Sequence, residues 1–227
     1  LYMDKQWYKK IHIWMPTIAA ICTILGISIF GGKSLFGNKE DNIIQESIKI
    51  DEEYHRGTIT KTGWESKFIG LRYTNPEGMS MLTKEELDGL IELDKENLSN
   101  NFSQYELGFI KLTTISEMMS IADDQPTTVM VCVENLTDET DIYQYIKGHE
   151  VRLAQFYPIN YTLISDDETV KIGNEDYIKV SYIVECNNVF MYMDSYFRVV
   201  DERIIMISLI FDDESAKDDI LDAFTAY

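Results

Sequence analysis

The sequence predicts an α+β fold: a mostly antiparallel sheet flanked by about three amphipathic helices, behind one N-terminal transmembrane helix. Three observations predict it. Residues 11–32 contain no Asp, Glu, Lys or Arg. The last third of the chain alternates long β-branched and aromatic runs with very short polar connections, the pattern of a meander. Between the strand-like runs lie three stretches with apolar residues at helical spacing, each opening on a capping residue.

At ~1.5 Å rise per residue, the charge-free run 11–32 reaches ~33 Å, enough to cross a ~30 Å hydrocarbon core. A helix satisfies its backbone polar groups internally there. Residues 1–10 carry Lys5, Lys9 and Lys10 against Asp4. Positive charge on this flank predicts a cytoplasmic tail and an extracytoplasmic C-terminal domain at the cell membrane. Trp7, Tyr8 and Trp14 fall where an interfacial aromatic belt belongs. An uncleaved signal anchor fits best. A cleaved signal peptide would place Phe30 where a small residue is needed. A lipidated Cys22 would follow Ile21 where Gly or Ala is wanted.

Residues 33–56 are polar and charged with no sustained period, and read as a tether. The folded domain is expected over 57–227. The whole chain has 20 Lys and Arg against 39 Asp and Glu, a net charge of −19. Such an acidic domain is repelled by nucleic-acid phosphates and anionic head groups, which excludes a nucleic-acid partner. A hydrophobic content of 45% leaves ample material for a core.

Within the domain, short strands are expected at 58–61, 64–67 and 69–74. The last is closed by the turn Asn75-Pro76-Glu77-Gly78, where Gly78 supplies the positive φ. A further strand follows at 79–82. Thr83 with Glu86 forms a capping box, opening a helix to about residue 100 whose apolar positions include Leu87, Leu90, Ile91 and Leu98. Residues 107–114 and 116–122 are expected to form one bent strand or two, and the turn Asp123-Asp124-Gln125-Pro126 leads to a further strand at 127–136. Thr137 or Asp138 should open the second helix, ended by Tyr157-Pro158. Then come strands at 160–165 and 169–172, separated by an acidic turn Asp166-Asp167-Glu168. Gly173-Asn174 signals a hairpin into three adjacent strands, 176–186, 190–199 and 203–211. Asp212-Asp213-Glu214-Ser215 caps a final helix over 216–226.

This order of elements resembles the PsbP/DcrB-like family of anchored or lipidated extracytoplasmic bacterial proteins. The resemblance is carried by Gly57-Thr-Ile-Thr, by the stretch from Trp64 to Met79 with its Pro-Glu-Gly turn, and by Thr83-Lys-Glu-Glu-Leu. Val170-Lys-Ile-Gly-Asn-Glu-Asp-Tyr, the meander after it, and Ala223-Phe-Thr-Ala complete it. The resemblance implies an α/β/α sandwich acting as a binding or accessory module of the cell envelope, without catalysis. Its motifs are structural punctuation and name no site residue.

Reactive constellations are sparse. No Gly-x-Ser-x-Gly elbow, dinucleotide fingerprint or phosphate loop occurs, and no Cys or His pair has zinc spacing. No cofactor is implied. The acidic pairs Asp123-Asp124, Asp166-Asp167 and Asp212-Asp213 are the candidate Ca²⁺ ligands, although turns and helix caps favour acids anyway. Tyr192 and Tyr196 alternate onto one face of a strand and are the candidate lining of a ligand groove. The expected function is an envelope accessory module that binds another envelope protein. The alternatives are a small-ligand or Ca²⁺ receptor and, behind that, a hydrolase using a carboxylate pair.

Overall fold

The computed structural model describes residues 54–88, 114–135, 141–153, 159–186 and 189–227. Its centre is β10 (Arg203–Phe211), in which every residue after Arg203 is buried. A run such as RIIMISLIF, apolar after Arg203 except for Ser208, can be buried only where both faces of a sheet are covered. Ile204, Met206 and Ile210 point into one hydrophobic cluster, and Ile205, Ile207, Leu209 and Phe211 into another on the opposite face.

A seven-stranded sheet surrounds this strand. Its order is β4 (Met79–Met81), β5 (Thr114–Ala122), β6 (Thr128–Asn135), β10, β9 (Val189–Val200), β8 (Glu175–Cys186) and β7 (Ile159–Ile172). Every neighbouring pair is antiparallel. The expected meander β8–β9–β10 is present. Its tight connections include Gly173 at φ +62° between β7 and β8, and Asp201-Glu202 at φ +45° and +62° between β9 and β10.

One face of this sheet is covered by helical segment α1, residues 84–88, and by α2 (Ile142–Leu153), through Leu82, Leu87, Tyr145 and Ile146. The capping box opens α1 as expected: Glu86 N–H donates to Thr83 Oγ1 at 3.2 Å, and Thr83 N–H to the Glu86 carboxylate at 2.8 Å. The opposite face is covered by a second sheet and by α3 (Glu214–Asp222). This sheet has four antiparallel strands in the order β1 (Thr58–Thr60), β2 (Gly63–Ser66), β3 (Leu71–Thr74) and β11 (Phe224–Ala226). Trp64, Leu71, Tyr73, Ile220 and Phe224 fill that interface.

The expected antiparallel sheet with few helices therefore stands, with four corrections. The layer on the second face is a sheet plus a helix rather than helices alone. The final helix stops at Asp222, and residues 224–226 pair with β3 as Phe224↔Tyr73, Thr225↔Arg72 and Ala226↔Leu71. Without that pairing the outer edge of β3 would keep open N–H and C=O groups. The aromatic rings of Phe224 and Tyr73 meet at 4.8 Å, holding the strand down. The expected acidic turn at 166–168 is instead an irregularity within one 14-residue strand, β7. Here β8 pairs with β7 on both sides of the acids, and Asp167 takes φ +62° to accommodate the extra residues. Finally, α2 begins at Ile142 with Asp141 as its cap, accepting from Gln144 N–H at 2.8 Å, rather than at Thr137 or Asp138.

The expected tail, anchor and most of the tether, the first helix beyond residue 88, and the strand over 107–113 lie outside the described residues. Among the described residues, no helix is long and apolar enough to cross a membrane.

Candidate functional site

The site grows from one charged residue inside an apolar strand. In β5, Ser116 pairs with Cys132 and Met118 with Val131, so Glu117 is the extra residue of a β-bulge. A bulge re-aims a side chain that regular alternation would place elsewhere. Glu117 is 2% exposed. Its Oε1 accepts from the Tyr54 hydroxyl at 2.9 Å, and its Oε2 from Gly57 N–H at 2.7 Å and from Trp64 Nε1–H at 3.2 Å. One carboxylate thus ties the segment entering the fold and strand β2 to strand β5. Gly57 is required here, because a Cβ would collide with Trp64 Nε1 and the Glu65 carbonyl.

Burial pushes the Glu117 carboxyl above the usual range, while its hydrogen bonds and the Arg56 charge pull it back. Burial, reinforced by the Glu117 charge, also holds the Tyr54 hydroxyl far above its ordinary value. Arg56 donates through Nη1 to Asp88 at 3.0 Å and through Nη2 to the Ser116 carbonyl at 2.6 Å. Above this arrangement opens a cleft of about 880 Å³, lined by Arg56, Gly57, Ile59, Thr60, Lys61, Met81, Leu82, Thr83, Lys84, Glu85 and Glu117. Its size lies within the range of small-molecule sites, and its lining mixes an apolar floor with a few charges.

Two further carboxylates are buried among the described residues, and each also takes a tyrosine hydroxyl. Tyr145 donates to Glu134 at 2.7 Å, beside the fully buried His149, whose ring lies 5.4 Å from that of Phe197. Asp194 accepts from Ser181 Oγ at 2.6 Å and from the Tyr196 hydroxyl at 3.2 Å. Lys179 lies 3.5 Å from Asp194 and 3.4 Å from Glu168. Burying a carboxylate is costly unless its lone pairs are met, and hydroxyl donors meet them without adding a second charge.

The residues singled out from the sequence are scattered. Asp123 accepts from Ser80 Oγ at 2.9 Å in the β5–β6 connection, which Asp124 shares. Asp166 and Asp167 sit in the irregular stretch of β7. Asp213 caps α3, accepting from Ser215 N–H at 2.9 Å, and that bond draws its carboxyl below the usual range; Asp212 precedes it. Among the described residues, no group of three or more His, Cys, Asp or Glu is placed to hold a metal ion. Tyr192 and Tyr196 do share a face of β9, but Tyr196 is buried at 1% exposure while Tyr192 is 42% exposed and stacks on Phe211 at 5.7 Å. Cys132 is a buried free thiol, pushed upward by burial.

Sequence reasoning passed over Glu117, Glu134 and Asp194. The signal was present: each is a lone acid inside a run of apolar strand residues (ISEMM, VCVEN, YMDSY). An acid at such a position needs buried donors, and tyrosines are abundant in this chain.

No family model and no curated protein matches the chain. Among solved structures, it is similar to cyanobacterial PsbP (CyanoP) from Synechocystis sp. PCC 6803, at 12% identity and a TM-score of 0.44. That match covers 77% of this chain and 98% of the other. It is also similar to LpqN of Mycobacterium tuberculosis, a protein involved in cell envelope biogenesis, at 10% identity and a TM-score of 0.37. That match covers 68% of this chain and 82% of the other. The first similarity falls in the PsbP-like group that the sequence resembles. At these scores no residue role passes from either protein to this chain.

Proposed function

We propose that this protein is a single-pass membrane-anchored module of the cell envelope whose extracytoplasmic sandwich binds another envelope protein and carries out no catalytic step. The anchor is the charge-free run 11–32, with residues 33–56 as tether. The observation that supports partner binding is a pair of large aromatic side chains left in water on one face of β9. Phe190 is 63% exposed and Tyr192 42%, on the same face of β9. On β7, an edge strand of the sheet among the described residues, Leu163 at 44% is in register with Tyr182 and Met193 and so belongs to the opposite face, which leaves Phe190 and Tyr192 to carry this surface. Exposed aromatic groups clustered in this way mark association surfaces, where Tyr and Phe are enriched. The acids at 166–168 on β7 discourage unselective edge pairing while leaving an acidic border for a partner of complementary charge.

The test is photocrosslinking in cells, with a photoreactive residue at position 190 and, as control, at exposed Thr58 on the small sheet. One dominant membrane-associated product from position 190, absent from position 58, is the expected result. Equal or absent crosslinking at both positions would overturn the reading.

A further inference from the structure

We propose that the cleft above Glu117 is a binding site for a small amphiphilic anion, with its carboxylate or phosphate head between Lys61 and Lys84 and its apolar body on Ile59, Met81 and Leu82. This site is separate from the aromatic surface of the meander.

The first argument is charge. In a chain with 39 acids and 20 bases, one cleft collects three cations, Arg56, Lys61 and Lys84, against two acids, Glu85 and Glu117. Glu117 keeps its charge, which is met by the hydrogen bonds of Tyr54, Gly57 and Trp64 and offset by the neighbouring Arg56. Arg56 is committed to Asp88 and to the Ser116 carbonyl. Lys61 and Lys84 form no ion pair among the described residues, so a ligand anion need not displace a carboxylate to reach them. Glu85 is the one further acid of the lining, so the two lysines leave the uncommitted charge of the rim positive, and low-dielectric walls concentrate counter-ions of the opposite sign there.

The second argument is shape. Lys61 stands in the β1–β2 connection and Lys84 in α1, so the two ammonium groups come from different elements of the fold. The same cleft is lined by buried Leu82 with half-buried Ile59 and Met81. Bare inorganic anions would leave that floor wet. An alkyl or aryl chain removes it from water, and each buried methylene raises affinity about fourfold. The floor is anchored from below, since Leu82 N–H donates to the Met119 carbonyl at 2.9 Å beside the Glu117 bulge.

The test is calorimetric titration of the full-length protein in neutral-lipid nanodiscs with hexanoate, hexyl phosphate, hexylammonium and acetate. Empty nanodiscs correct for partitioning. At least one six-carbon anion should bind, acetate much more weakly and hexylammonium not at all. The better of the two anions identifies the head group. Lys61→Gln with Lys84→Gln, both exposed positions, should weaken binding about tenfold or more with no change in melting temperature, and Lys→Arg at both should restore it. Binding of hexylammonium equal to the anions, no heat from either anion, or full affinity in the double Gln variant would overturn the proposal. Crosslinking at position 190 should persist in the double variant, so the two readings fail separately.

Discussion

Replacing Glu117 tests the central connection of the fold. Glu117→Ala removes the acceptor of three donors at once: the Tyr54 hydroxyl at 2.9 Å, Gly57 N–H at 2.7 Å and Trp64 Nε1–H at 3.2 Å. A buried donor left without a partner costs about 1–3 kcal/mol. Gly57 lines the cleft and water from there can serve its N–H, so the sum falls below the maximum. The expected loss is about 3–5 kcal/mol. Glu117→Gln keeps one carbonyl oxygen and should lose about 1–2 kcal/mol. The two variants also differ in pH dependence. Burial raises the Glu117 carboxyl above its unfolded value of 4.5. A raised carboxyl binds its proton more tightly in the folded state, so its contribution to stability is full below the unfolded value and is lost as pH rises through the folded one. Wild type should therefore gain on Glu117→Gln as pH falls from neutral toward the unfolded value. Urea unfolding followed by circular dichroism at several pH values reads both effects, with an unchanged slope confirming that stability alone has moved. An Ala variant within about 0.5 kcal/mol of wild type, the scatter of ordinary surface changes, would refute the reasoning. So would a wild-type advantage over Gln that is constant with pH.

Three further outcomes follow from the same geometry. Phe224→Ala empties a site that is 4% exposed and packed on Tyr73, and should cost about 3–5 kcal/mol in urea unfolding; a loss under about 1 kcal/mol would mean β11 is not part of the cooperative unit. Asp201 and Glu202 both hold positive φ in a two-residue hairpin, so Asp201→Asn with Glu202→Gly should stabilise by about 1–2 kcal/mol, seen as a higher denaturation midpoint. Gly173→Ala places a Cβ at φ +62°, 2.7 Å from Leu71 Cδ2, and should lower the melting temperature by several degrees through a loss of about 2 kcal/mol; an unchanged midpoint would count against the hairpin geometry.

Local punctuation was readable because its causes are local. The capping box of Thr83 and Glu86, the positive φ of Gly78 and Gly173, and the cap at Asp213 each depend on residues a few positions apart. The meander was readable because two-residue connections force adjacent antiparallel strands. Errors occurred where a distant segment outvoted the local signal. Residues 224–226 continue a helical pattern in the sequence, yet the free edge of β3, some 150 residues earlier in the chain, pairs with them instead. The acids at 166–168 read as a turn, but the long strand β8 supplies hydrogen bonds on both sides and keeps β7 whole.

The same division runs through the candidate site. Sequence by itself determined that Glu117 is an acid in an apolar strand, that β10 must be covered on both faces, and that residues 11–32 carry no charge. The tertiary structure alone decided that a bulge turns Glu117 toward Tyr54, Gly57 and Trp64, and that Lys61 and Lys84 share one cleft. Local chemistry and periodicity act over a few residues and leave a trace in the order of letters. The partner of a buried charge or of a strand edge is chosen by packing across the whole chain, and no short stretch of sequence records that choice.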